Sequence, residues 1–221
     1  MGRAYLLPME TGKLRRTHVE WTWEEARAHF VRVDPEFVAA TQHLPSPQPA
    51  PQRTTFESLS RAIMGQQLST KAAATIWGRF AEHHGGIPSP QLVLDTDADQ
   101  HRMLGVSGQK HRYLHSLAEE VLASPADFEA VWEWSDEAII ARWTQVKGLG
   151  RWTVQMHLMF ALNRPDVFPV DDLGIRRAME RHFGLEKDGL KAAYEKRALV
   201  WGPFRTAASR LLWMSLDNQP K

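Results

Sequence analysis

One stretch of the chain has the residue types and spacing to do chemistry. It pairs Gly148 and Gly150, in the turn Val146-Lys147-Gly148-Leu149-Gly150, with the adjacent carboxylates Asp171 and Asp172, which follow Phe168-Pro169-Val170 and precede Leu173-Gly174-Ile175-Arg176-Arg177. Glycines take backbone angles closed to other residues and let a partner approach the chain closely. A helix opening near Arg151 points unpaired N–H groups and the positive end of its dipole out of that turn, so an anion is its natural guest. Asp171 and Asp172 stand at the mouth of the next helix. Capping that helix explains one carboxylate and leaves the other surplus. Pro165 and Pro169 hold the preceding loop extended and able to aim a side chain away from its own helix. The surplus carboxylate is the candidate for stabilising positive charge or orienting water.

Helices must position these groups. Ser135-Asp136-Glu137-Ala138 is a helix start, and Ile139, Ile140 and Trp143 give that helix an apolar face, so the glycine turn reads as a hairpin between two helices. After the aspartates, Ile175, Ala178, Met179 and Phe183 recur at helical spacing until Gly184. Thr22-Trp23-Glu24-Glu25 and Thr54-Thr55-Phe56-Glu57 carry the capping-box pattern, Asp34-Pro35 and Ser89-Pro90 supply further starts, and Gly85-Gly86 and Gly105 supply stops. Leu59, Ile63 and Met64, then Ala73, Ile76, Trp77 and Phe80, then Tyr113, Leu114, Leu117 and Val121 keep the helical period. The pattern predicts an all-α fold. Leu44-Pro45-Ser46-Pro47-Gln48-Pro49-Ala50-Pro51 reads as an extended linker, and residues 1–20 as a short strand or irregular arm.

Composition narrows the function. A chain of 221 residues can bury a sizeable core, and its lack of cysteine excludes disulfides, cysteine-ligated zinc and iron–sulfur clusters. No apolar run approaches the ~20 residues of a membrane span, and Met1–Pro8 is too short for an export signal, so the expected location is the cytoplasm, in association with the nucleoid. The net charge of +1 is uninformative, since nucleic-acid binding depends on where basic residues lie. Lys13-Leu14-Arg15-Arg16 and Arg176-Arg177 with Arg181 are the basic clusters. Of the ten histidines, His83-His84 and the i, i+4 pair His111 and His115 suggest a metal site, but a pair without a third ligand is more often surface chemistry.

Gly148-Leu149-Gly150-Arg151-Trp152-Thr153 followed by Pro169-Val170-Asp171-Asp172-Leu173-Gly174-Ile175-Arg176-Arg177 resembles the helix-hairpin-helix DNA glycosylase superfamily, in its alkylation-repair branch, the DNA-3-methyladenine glycosylase II type. Arg61-Ala62-Ile63-Met64-Gly65-Gln66-Gln67-Leu68-Ser69, Ser107-Gly108-Gln109-Lys110 and Trp201-Gly202-Pro203-Phe204-Arg205 leading to Trp213 extend the match from about residue 54 to the C-terminus. The resemblance implies two helical subdomains with the active site in the cleft between them: residues 1–53 packing with 173–221, and a central subdomain 54–172 holding the helix-hairpin-helix at about 136–162. The chain departs from the best-known bacterial members in having too few residues before position 54 for their N-terminal sheet domain.

The function so implied is hydrolysis of the N-glycosidic bond of alkylated bases in double-stranded DNA by a monomer that flips the base out of the stack. Its expected substrates are 3-methyladenine and 7-methylguanine, with 1-methyladenine and 3-methylcytosine as further candidates, because Met156 and Leu173 stand where relatives carry tyrosines. Asp172 is the expected catalytic carboxylate: an apolar residue follows at +3 (Ile175) and a basic one at +5 (Arg177), as in the family pattern. Asp171 is left as a cap or solvated neighbour. Trp152 occupies the position of the Schiff-base lysine of strand-nicking members, so the enzyme is expected to be monofunctional and to leave an abasic site.

The same match makes Trp152 and Trp213 the walls of the base pocket, where stacking favours a cationic base. It makes Gln67 or Leu68 the wedge that fills the vacated space. Gly148, Gly150, Thr153 and Lys147 become the phosphate contacts, and the carbonyls of Thr144, Val146 and Leu149 a site for a structural Na+ or K+, no cofactor being required. The alternatives are a glycosylase for oxidised, deaminated or mismatched bases, a non-catalytic DNA-binding module, and a metal-dependent nuclease using Asp171 and Asp172. A mere binder has no need of a carboxylate beside phosphates.

Overall fold

The computed structural model describes residues 21–48 and 53–217. The reading of residues 1–20 as an arm and the Lys13–Arg16 cluster lie outside them. Every regular element among the described residues is helical: α1 (Trp23–Val33), α2 (Pro35–Thr41), α3 (Thr55–Gly65), α4 (Thr70–His83), α5 (Pro90–Leu94), α6 (Ala98–Met103), α7 (Gly108–Ala123), α8 (Pro125–Glu129), α9 (Asp136–Trp143), α10 (Arg151–Phe160), α11 (Leu173–Phe183), α12 (Lys191–Ala198) and α13 (Arg205–Asp217), with single 3₁₀ turns at Ala130–Glu133 and Leu199–Trp201. None of these helices is long and apolar enough to cross a membrane.

The starts follow the capping chemistry. Thr22 and Glu25 form a reciprocal capping box on α1, Asp34 caps α2 with Pro35 in its first turn, and Ser89 and Ser135 cap α5 and α9. At α3 only half of the expected box forms. Thr54 accepts from the Glu57 N–H at 3.1 Å, but the buried Glu57 carboxylate turns to Arg61 at 2.9 Å. A guanidinium within reach outbids a single backbone N–H for a buried carboxylate.

The described parts of 18–50 and 163–221 form one compact unit, and those of 51–162 another. In the first, α1, α2 and α11–α13 enclose Phe30, Phe37, Ile175, Met179, Tyr194, Trp201, Leu211 and Leu212. Asp34 ties this core together. Its carboxylate takes the Arg197 guanidinium through both oxygens, the Trp201 Nε1–H at 2.7 Å and the Phe37 N–H at 3.0 Å. The loop 163–172 belongs with this unit and not with the central one, where the sequence reading put it. Thr206 holds the loop, donating to the Arg164 carbonyl and accepting from the Val167 N–H, while Arg205 pairs with Asp166.

In the second unit α3 packs on α4, α7 and α10, α7 also packs on α5, and α9 packs on α10. Leu59, Ile63, Phe80, Leu114, Leu117, Ile139, Trp143, Val154 and Leu158 are buried. α9, the glycine turn and α10 make the expected helix-hairpin-helix.

Candidate active site

Asp172 is the N-cap of α11: its Oδ1 accepts from the Ile175 N–H at 2.9 Å. The same oxygen accepts from the indole N–H of Trp213 on α13 at 2.7 Å. Cap and catalytic candidate are therefore one residue, where the sequence had suggested dividing these roles between the two aspartates. Two donors fix the carboxylate at the N-terminal end of α11. Asp171 is exposed and ion-paired with Lys191. Between cap and indole runs the backbone of Gly174. A Cβ there would stand 3.0 Å from Trp213 Cδ1 and 3.1 Å from Asp172 Oδ1, so glycine is what lets the indole close on the carboxylate.

Of the basic cluster that follows, Arg176 is used structurally. It donates to the Gly189 carbonyl at 2.7 Å and lies over the Tyr194 ring. Arg177 and Arg181 are exposed.

The hairpin has the predicted geometry for a different detailed reason. Gly148 sits at φ +95°, in the region that favours glycine, and a Cβ on it would fall 2.2 Å from Cγ of Tyr113. The Tyr113 ring occupies the space a side chain would need. Gly150 is exposed and starts α10 with no side-chain cap, so the first N–H groups of α10 lack a capping oxygen from that residue. Lys147 is exposed beside the turn.

Thr153 departs from the expected phosphate contact. It is 2% exposed, and its hydroxyl accepts from the Gln66 amide at 3.0 Å. The same amide donates to the Gly148 carbonyl at 3.0 Å. Thr153 thus braces the hairpin from inside.

The wedge candidates Gln67 and Leu68 are exposed at the turn between α3 and α4, with Gln67 at φ +58°. A non-glycine residue in the left-handed region costs about 1–2 kcal/mol and persists where its surroundings hold it. Lys110 supplies the hold: its ammonium donates to the carbonyls of Met64 at 2.7 Å and Gln66 at 3.0 Å, the end of α3. Burial lowers the Lys110 pKa from the usual lysine range. Lys110 and Gln66 lay within quoted motifs, but their roles depend on contacts 44 and 87 residues away in sequence, which no local pattern encodes.

Trp152 is half-buried on α10, and Trp213 half-buried on α13. The carbonyl of Val146 accepts from the Leu149 N–H at 3.0 Å. Carbonyl oxygens with lone pairs to spare are the donor set a hard monovalent cation takes, so these residues fit that group.

An all-helical fold with a glycine hairpin, a capping aspartate clasped by an indole and a lysine-held turn defines a class, and the comparisons agree. Residues 60–203 match the HhH-GPD superfamily of base excision DNA repair proteins, and the chain belongs to that family. DNA-3-methyladenine glycosylase 1 of Schizosaccharomyces pombe is 42% identical over 162 residues, covering 72% of this chain and 71% of that protein. The alkylbase DNA glycosidase-like protein mag2 of the same yeast is 30% identical over 172 residues, covering 75% and 79%. The structure of S. pombe 3-methyladenine DNA glycosylase in complex with abasic DNA matches with a TM-score of 0.78 at 36% identity, covering 86% of this chain and 95% of that one.

Proposed function

We propose that the protein is a monofunctional DNA N-glycosylase that removes alkylated bases from double-stranded DNA. The observation that carries this reading is the Asp172 carboxylate, fixed at the start of α11 by the Ile175 N–H and the Trp213 indole. As the N-glycosidic bond breaks, its electron pair leaves with the base and positive charge grows on the sugar. A carboxylate held in place before the reaction stabilises that charge more than it stabilises the substrate. Water then adds to the anomeric carbon and gives up a proton, leaving an abasic site. An alkylated purine already carries positive charge, so departure needs no strong general acid.

The relatives named as 3-methyladenine glycosylases support 3-methyladenine as substrate, and Met156 and Leu173, in place of the relatives' tyrosines, are the reason to extend the range to 7-methylguanine, 1-methyladenine and 3-methylcytosine. Trp152 and Trp213 offer aromatic faces to such a cation. Gln67 and Leu68 fill the space left in the duplex. The N–H groups at Gly148 and Gly150 with the Lys147 ammonium take a phosphate, and a monovalent cation on the Thr144, Val146 and Leu149 carbonyls would add positive charge to that contact. Trp152 stands where a Schiff-base lysine would be needed, so hydrolysis is the whole reaction.

Base release from methylated duplex DNA tests the proposal. Wild type should release the base and Asp172→Asn should not, while still binding an abasic-site duplex. Borohydride should trap no covalent adduct. Release only of oxidised, deaminated or mismatched bases would move the lesion class, and retained release by Asp172→Asn would overturn the mechanism.

A further inference from the structure

The central unit holds a histidine cluster that the glycosylase reading does not use. His101 lies on α6, and His111 and His115 stand one turn apart on α7. One ring nitrogen from each lies within 4.8 Å of the other two. The pair visible in the sequence thus gains the third ligand it needed. We propose that His101, His111 and His115 form a binding site for a late first-row divalent cation, Zn2+ being the probe.

Three features of the cluster point to a cation. The Nδ1 atoms of His101 and His111 are 2.7 Å apart, so one must donate and the other accept. His101 is fully buried, and its Nε2 has no hydrogen-bond partner. In the tautomer that donates from its Nδ1, that Nε2 carries an unused lone pair. His115 donates from Nε2 to the Thr96 carbonyl at 3.2 Å, which leaves its Nδ1 as the bare nitrogen. A ligand histidine whose other N–H is held by a backbone carbonyl is the usual second support of such sites.

His84, which also borders the cluster, is otherwise engaged. Its Nδ1 faces the Phe80 carbonyl at 2.7 Å and its Nε2 the Thr96 hydroxyl at 3.1 Å.

Three imidazoles without a carboxylate suit Zn2+, Ni2+, Co2+ or Cu2+ rather than Mg2+ or Ca2+. Zn–N bonds of about 2.0–2.1 Å in tetrahedral geometry require the nitrogens roughly 3.3 Å apart. Binding would turn the His111 Nδ1 lone pair from its hydrogen bond with His101 to the ion, with water as fourth ligand. The ion would tie α6 to α7. α7 also carries Lys110, which holds the end of α3, and Tyr113, which packs on Gly148, so its rigidity bears on both the turn at Gln67 and the hairpin.

The test uses the full chain without a histidine tag. Competition with a chromogenic chelator should show one Zn2+ bound, and saturating Zn2+ should raise Tm by roughly 5 °C. His111→Ala with His115→Ala should weaken that binding at least about a hundredfold and abolish the Tm shift, while His83→Ala should leave both unchanged. Where the double variant fails to fold, His115→Gln alone, checked by circular dichroism, should lose at least about tenfold in affinity. Co2+ should give the visible spectrum of a tetrahedral nitrogen site. Absence of a bound equivalent in wild type, or equal affinity in the folded variants, would overturn the proposal.

Discussion

The indole N–H of Trp213 donates to Asp172 Oδ1 at 2.7 Å, so a residue expected to face the substrate base is also a support of the proposed catalytic carboxylate. The two roles separate by substitution. Trp213→Phe keeps an aromatic face and removes the donor. A hydrogen bond to a charged group contributes about 1.5–3 kcal/mol, so kcat should fall roughly 10- to 100-fold. Single-turnover base release measures this; an unchanged rate would confine Trp213 to stacking.

Gly174→Ala tests the same clasp from the backbone side. Alanine is the better helix former, by roughly 1 kcal/mol, but its Cβ would press on Trp213 Cδ1 at 3.0 Å and Asp172 Oδ1 at 3.1 Å. The expected variant is folded and as stable as wild type or nearly so, yet slower in base release. Thermal denaturation beside the release assay distinguishes this from general damage.

Gly148→Ala should act on stability. Its φ of +95° disfavours any Cβ, and that Cβ would overlap Tyr113 at 2.2 Å. A loss of at least about 2 kcal/mol is expected in urea unfolding. Adding Tyr113→Ala should recover the part due to overlap and leave the part due to backbone angle. Additive losses in the double variant would refute the packing account.

Acid should find its weak point at Asp34. Burial raises its pKa, but the Arg197 hydrogen bond, the Phe37 N–H and the Trp201 indole outweigh this and hold it below the ordinary value. A carboxylate with a lowered folded-state pKa contributes stability that is full above its unfolded value of ~4 and is lost as pH falls through the folded value. Asp34→Asn should therefore cost roughly 3–5 kcal/mol near pH 7, as for a broken buried ion pair. The gap from wild type should narrow below pH ~4. Urea unfolding across that range measures it, and a gap independent of pH would contradict the assignment.

Much of this was legible from residue types because the signals were local. Thr22 with Glu25, Asp34 with Pro35, and Ser135 mark helix starts through bonds spanning three residues, and Gly85 and Gly105 mark stops through their own backbone angles. An aspartate cap at the start of α11 was legible for the same reason, whereas the choice of Asp172 over Asp171 came from the family pattern and not from local capping chemistry. What escaped depends on distant partners. Glu57 abandons its box for Arg61, Thr153 turns inward to Gln66, and His101 completes a cluster whose other members lie on a different helix. Each outcome is decided by burial and by the groups across the interface, and spacing along the chain carries neither.

One side-chain amide, that of Gln66, joins the carbonyl of Gly148 to the hydroxyl of Thr153, one residue before the exposed Gln67. On the proposed roles, the part that grips the DNA backbone and the part that enters the stack are joined through this amide, within a unit where α3 also packs on α10. A step of the grip along the duplex then carries the probe an equal distance, so the strand is sampled at a fixed offset from the phosphate being held.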